Sequence, residues 1–428
     1  METFSCEYFS LDTASLWNRD GGPRWSADDE SKLEAIDQSL AQKFRGEIGF
    51  YQWPKSIEES DWNAIEAISA RLRDQFEQAI VFGIGGSHLG PEATLQALQT
   101  PQQRHSFPVK WLSNIDPWSV REAEHFIGDK KTAAIVISKS GGTAETLSGF
   151  FHFANRIPEN GIVVITDPNS GLLRQLSQQQ GWDSLPVPTN VGGRFSVLTP
   201  VGLLTTSLGG INPRELIDGA LQMQSTLESL APKENPAYQL AKAFATWDLD
   251  HGHSHHYLMP YWMNFRSVAD WYVQLWGESI GKKRIHDGKP VGFTPGSCVG
   301  TMDQHSLLQL FKEGPNDKVI GFLSIGEESF DTKVGSPPFP VSGVDYLTQS
   351  SFGNITQLAS EATEESLRRS NRPTYRLHCP KLNAETLGAF FYFMEVACAA
   401  AGELYGVNAY DQPGVEEAKV LLKEALNK

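Results

Sequence analysis

Short runs of β-branched and other apolar residues alternate with longer stretches of helical periodicity along most of the chain. Residues 79–85 (AIVFGIG), 133–138 (AAIVIS) and 161–167 (GIVVITD) form a first block. Each run is nearly continuous in apolar character, as strands buried on both faces of a parallel sheet are, and each gives way to a loop and a helix-compatible segment. Residues 255–261, 318–326 and 374–379 repeat the arrangement in a second block, with long helical patterns over 264–280 and 384–405. Strands that alternate with helices in this way predict an α/β protein built on two parallel sheets.

At 428 residues the chain exceeds the usual size of one domain. The polar, proline-flanked stretch 231–236 (APKENP) marks a boundary. The expected division is an N-terminal segment 1–34, a first α/β domain 35–230, a second 231–410 and a C-terminal helix 411–428. Residues 335–343 (GSPPFPVSG) read as a proline-rich loop within the second block. In sheets of this kind the strand-to-helix loops emerge at one edge, and ligands bind there.

Hydrophobic residues make up 40% of the chain and charged residues 20%, which suits a water-soluble core-forming protein. A net charge of -15 argues against nucleic acid or an anionic membrane as partner. A small anion remains compatible, because charges beyond a Debye length of roughly 8 Å are screened and a local basic pocket can dominate. The four cysteines form no CxxC pair and read as reduced thiols of a cytoplasmic protein. The first ten residues lack the basic and apolar regions of a secretory signal. The most membrane-like stretch, 387–402, is interrupted by Glu395 and falls short of the ~20 residues of a span, so it reads as a buried helix.

Candidate chemistry lies in the loops. In FGIGGSHLGPEATL, the residues Gly85, Gly86 and Ser87 allow backbone amides to face an anion at a helix N-terminus. His88 stands where a dinucleotide fingerprint needs its third glycine, and no GK[ST] follows, so neither nucleotide motif is present. The same glycines would also serve a simple tight turn. In SKSGGTAET, the hydroxyls of Ser138, Ser140 and Thr143 can donate to a phosphate and Lys139 adds charge; capping of the following helix by Ser140 or Thr143 is the plainer use. Two such loops after neighbouring strands favour an anion site.

Arg194, behind two glycines in VGGRFSVL, is either aimed from a compact loop or a structural arginine. Glu278 sits in the last turn of a helix ending near Gly281, where the macrodipole penalises its ionised form by ~0.3–1 kcal/mol and so suits it to proton transfer. The alternative is a solvated glutamate beside Lys282 and Lys283. Gln274 precedes it by one turn on the same face. In GTMDQHSLLQLF, Asp303 is expected as an N-cap with His305 in the first turn, where imidazolium is disfavoured; a lone histidine is more often structural. In YDQPGVEEAKVLL, the residues Gln412, Glu416 and Lys419 share one helix face and Val415, Ala418 and Leu422 the other, or the polar face is only a salt-bridged surface stripe. The run HGHSHH (251–256) lacks the spacing of known metal sites, and no metal is expected.

Taken in order, GIGGSxLGP, SKSGGTxET, VGGRFS, WGESxGKK, DQHS and DQPGVExxK closely resemble the glucose-6-phosphate isomerase family in its bacterial form, over Gly83 to Lys419. The resemblance implies two doubly wound parallel-sheet domains of the sugar-isomerase (SIS) type with a C-terminal helix, and a homodimer with sites at domain and subunit interfaces. It implies reversible aldose–ketose isomerisation of glucose 6-phosphate and fructose 6-phosphate, in glycolysis and gluconeogenesis, by ring opening and proton transfer through a cis-enediol and without cofactor. It assigns phosphate binding to Ser138, Lys139, Ser140 and Thr143, helped by Gly86 and Ser87, and proton transfer to Glu278. Arg194 is assigned to the enediolate, Gln274 and Gln412 to the sugar, and ring opening to Lys419 and to His305 reaching in from the neighbouring subunit. A regulator that merely binds sugar phosphates would need the loops alone. The presence of Glu278, Arg194, His305 and Lys419 together favours an enzyme.

Overall fold

Gln78–Phe82 and Thr132–Ser138 are buried along their whole length, as strands covered on both faces must be. They occupy the middle of the first sheet in a computed structural model that describes residues 3–17, 22–46, 48–327 and 331–427. That sheet has five parallel strands, Gln78–Phe82, Val109–Leu112, Thr132–Ser138, Ile162–Thr166 and Asp183–Pro186, in the spatial order 2-1-3-4-5. The order reverses between Gln78–Phe82 and Thr132–Ser138, so the crevice of the sheet opens between the two loops singled out above.

The second sheet repeats the pattern. His255–Pro260, Thr294–Ser297, Lys318–Glu327 and Thr374–Lys381 run parallel in the order 2-1-3-4. A short antiparallel hairpin, Thr3–Ser5 with Ser10–Asp12, extends it by pairing Leu11 with Leu377. The N-terminal segment thus completes the sheet farthest from it in sequence.

The apolar runs read from the sequence are central strands in both sheets. Val109–Leu112, Asp183–Pro186 and Thr294–Ser297 lie outside those runs, and all three are edge strands. An edge is half-covered and must resist further pairing, so it tolerates residues such as Lys110, Asp183 and Pro295 that blur the apolar signal.

Alternation along each strand divides the interior. Ala79 and Val81 join a large core that spans both halves of the molecule, whereas Ile80 and Phe82 pack with Phe150 and Phe153 on the opposite face. Met259, Phe311 and Phe322 form the corresponding cluster outside the second sheet. Through the shared core runs Ala384–Tyr405, the one described helix long and apolar enough to cross a membrane, and it is almost wholly buried. It crosses Pro213–Ser229 at backbone contact. A Cβ on Gly219 or on Gly388 would overlap a carbonyl oxygen of the facing helix, Glu385 or Leu216 respectively.

Candidate active site

Glu278 and Gln274 lie on Arg266–Ile280, whose last turn ends at Gly281. Their spacing of four puts them on one face, and Gln274 Nε2 donates to Glu278 Oε1 at 3.0 Å. Arg194 reaches the same carboxylate from a 3-10 turn, Gly193–Phe195, with Nη1 3.3 Å from Oε2. The arginine side chain is 1% exposed and the glutamate 37%. Burial pulls the guanidinium below its ordinary value, with Glu278 opposing that shift.

Every donor of the guanidinium is placed. Nε bonds Ser279 Oγ at 2.7 Å, and Nη1 serves both Glu278 and Gln412 Oε1, the latter at 3.2 Å. Nη2 serves the carbonyls of Ala409 and Asp411. Lys282, which charge pattern alone would set beside Glu278, instead binds the Asp411 carboxylate at 2.8 Å and the Asn408 carbonyl. Two cations therefore hold segment 408–412 against the site, and the sequence signalled neither attachment. Ser279 was also missed. A serine within the apolar helix WYVQLWGESI was the available signal.

The two glycine loops close the other side. Gly85 adopts φ +59°, and a Cβ there would lie 3.0 Å from Gln274 Nε2. A Cβ on Gly86 would overlap the carbonyl of Gly193, so that glycine is what lets the first loop touch the arginine loop. Ser87 ends the turn Gly85–Ser87 and is half-buried.

Ser138 Oγ bonds Thr143 Oγ1 at 2.8 Å and approaches Ser140 Oγ at 3.4 Å, so the three hydroxyls form one cluster. Thr143 occupies the N-cap position of Ala144–Phe153 but makes no side-chain cap bond. The first N–H groups of that helix are left for an anion, with the dipole favouring one. Gly141, at φ +67°, packs against the backbone of Gly171 and Leu172. Lys139 turns away from the hydroxyls: its ammonium donates to the carbonyls of Thr189 (2.8 Å) and Val191 (2.7 Å), and burial lowers its pKa while Asp167 opposes. It ties the hydroxyl loop to the segment that leads into Arg194.

The C-terminal segment walls two cavities. One, of about 770 Å³, is lined by Glu278, Lys282, Asp411 and Gln412. The other, of about 710 Å³, sets Lys419 opposite Ser140, Thr143 and Glu145. Lys419 pairs with Glu416 at 2.7 Å, as the helical spacing predicts. The helix itself is Glu416–Leu426 after a 3-10 turn Pro413–Val415, and its apolar face is not buried within the chain.

His305 is not brought to these groups. It is exposed at the end of a 3-10 turn, Asp303–His305. Asp303 is not the N-cap of a following helix: its carboxylate accepts from Val299 N–H at 2.7 Å and Ser306 Oγ at 2.8 Å, and the helix begins only at Leu308. The preceding loop captures the carboxylate before the helix can. Of the histidine run, His253 and His256 are buried, and His256 Nε2 is spent on the His253 carbonyl.

A family model described as phosphoglucose isomerase matches residues 69–329 and 349–428. The chain is 39% identical to the glucose-6-phosphate isomerase of Carboxydothermus hydrogenoformans over 91% of this chain and 87% of that one. A hypothetical protein from Thermus thermophilus has a similar structure, with TM-score 0.85 and 30% identity over 98% of this chain and 100% of that one. The glucose-6-phosphate isomerase of Chlamydia trachomatis shares the fold, with TM-score 0.82 at 21% identity over 100% and 90%.

Proposed function

The chain belongs to the phosphoglucose isomerase family, and on that premise we propose how its side chains interconvert glucose 6-phosphate and fructose 6-phosphate. The enzyme is an aldose–ketose isomerase of glycolysis and gluconeogenesis. The 6-phosphate binds the hydroxyls of Ser138, Ser140 and Thr143 and the uncapped helix start, beside Gly86 and Ser87; Lys139 contributes by holding the loop in place. Anchoring this remote group holds C1 and C2 against the Glu278 carboxylate. Lys419, across the cavity from the hydroxyls, and His305 assist opening of the sugar ring.

Glu278 then takes the proton from C2 of the open aldose. The C–H electron pair becomes the C1–C2 double bond, and the C1 carbonyl oxygen takes up the charge. Arg194, which holds its proton at any working pH, stabilises that oxyanion through Nη1, the one edge of the guanidinium that faces the base. A proton passes from the C2 hydroxyl to the C1 oxygen, and return of the Glu278 proton to C1, as the C2–O electron pair forms the new carbonyl, gives the ketose. Gln274 and Gln412 orient the carboxylate and the guanidinium and contact the sugar hydroxyls.

The observation that carries this reading is the 3.3 Å pair of a part-exposed carboxylate and a buried guanidinium from opposite halves of the chain. Glu278→Gln is expected to lower kcat by roughly 10²–10⁴-fold, the range of a lost general base, and to abolish exchange of the C2 proton with solvent. Fructose 6-phosphate should still bind, as read by calorimetry. Wild-type turnover in this variant would remove Glu278 as the base.

We further propose a homodimer in which His305 enters the neighbouring subunit's site. Its exposure, and its lack of any described contact with Glu278, Arg194 or the hydroxyl loop, support that placement.

A further inference from the structure

Ser279 is fully buried, yet it follows directly on the part-exposed Glu278. Consecutive helical residues point about 100° apart, so Glu278 faces the cavity while Ser279 faces the interior behind Arg194. A serine on a helix ordinarily satisfies itself on the carbonyl four residues back, here Leu275. That carbonyl is approached instead by the Cys398 thiol, with Sγ 3.6 Å from it. Burial raises the pKa of that thiol to about 12, so it stays protonated and serves the carbonyl as a donor. Ser279 Oγ instead accepts from Arg194 Nε at 2.7 Å.

The guanidinium is a rigid plane, so a contact at one edge sets the direction of the other two. Nη2 is held by the carbonyls of Ala409 and Asp411, Nε by Ser279, and Nη1 serves Glu278 and Gln412. The base and the brace of the arginine are neighbours in one helical turn. Their separation is set by backbone geometry and does not depend on loop closure.

We propose that Ser279 is a positioning residue for the isomerisation, acting through Arg194 by fixing the plane in which Nη1 meets the developing oxyanion. This rests on the role given above to Arg194.

The test is a double-mutant cycle with Arg194→Met, which approximates the arginine in length and removes all its donors. Ser279→Ala alone should lower kcat about tenfold, less than the 10²–10³ of a lost oxyanion donor, because the donor remains but is misaligned. KM for fructose 6-phosphate and inhibition by inorganic phosphate should stay within about twofold, since the phosphate cradle does not involve Ser279. In the Arg194→Met background the same substitution should change kcat by less than about twofold. An equal loss in both backgrounds would mean a merely structural serine and would overturn the proposal, as would wild-type kcat in Ser279→Ala. Wild-type kcat in Arg194→Met would overturn the reading of Arg194 itself, a separate failure. If Ser279→Ala does not fold, Ser279→Cys is carried through the same cycle; its sulfur is a weaker acceptor, and a loss confined to the Arg194 background supports the proposal while an equal loss in both refutes it.

Discussion

By its sequence neighbours Gly86 is a candidate anion-binding glycine, yet its strictest duty lies elsewhere. Any Cβ there meets the backbone of Gly193 and Arg194, which cannot swing aside as the end of a flexible side chain could. Gly86→Ala should therefore push the arginine loop away from Arg266–Ile280. We expect a loss of about 1–3 kcal/mol in stability from overpacking and a fall in kcat of at least about tenfold, on the order expected for a misplacement near 1 Å. Thermal melts and steady-state kinetics check both, and a fully active, equally stable variant would contradict the close approach. Arg194 shows the same dependence from the other side. Its donors reach partners in separate segments of the chain, so no local pattern announces them.

Among the helices, Ala384–Tyr405 combines an almost wholly buried surface with a carboxyl group. Glu395 is 1% exposed, its Oε1 has no hydrogen-bond partner among the described residues, and burial raises its pKa well above the ordinary glutamate value. The folded protein thus keeps a proton that the unfolded chain releases above about pH 4.3. The unfolded state then binds fewer protons, so this group makes stability fall as pH rises, by at most ~1.4 kcal/mol per pH unit, until the folded pKa is passed. Glu395→Gln removes the titration. Its stability relative to wild type should improve steadily between about pH 5 and pH 8, as read by urea unfolding at each pH. A difference independent of pH would show that the carboxyl is already ionised in the fold. At the opposite extreme, Glu416–Leu426 buries no residue. Leu421 and Leu426 stand 57% and 72% exposed, and segment 408–412 is secured chiefly through Arg194 and Lys282.

Across the full chain, one topology is used twice and the two copies share a core. The first sheet supplies the two glycine loops at its switch point, and the second half supplies Glu278 from the helix that follows its own first strand. A complete site therefore needs both halves, and the proposed dimer adds His305. If that histidine acts across the interface, inactive Glu278→Gln chains mixed with inactive His305→Ala chains should regain activity. About half of the reassembled dimers would be hybrids with one intact site of two, giving roughly a quarter of wild-type activity. No recovery, with hybrid formation verified by differently sized tags, would place His305 in its own subunit's site or outside it.

Residue order and spacing sufficed for the central strands, the loops at which they end and the pairing of Gln274 with Glu278. Those features depend on periods of two and of 3.6 residues, and the spacing along the chain displays both. The same order carried the six motifs by which the family was legible. Packing in three dimensions was needed to establish that Arg194 meets Glu278, that Lys139 turns its charge to the Thr189 and Val191 carbonyls, that Ser279 braces the arginine and that the N-terminal hairpin finishes the second sheet. Partners far apart along the chain are chosen by how helices and sheets settle on a common core, and the direction in which a long side chain then points follows from that packing.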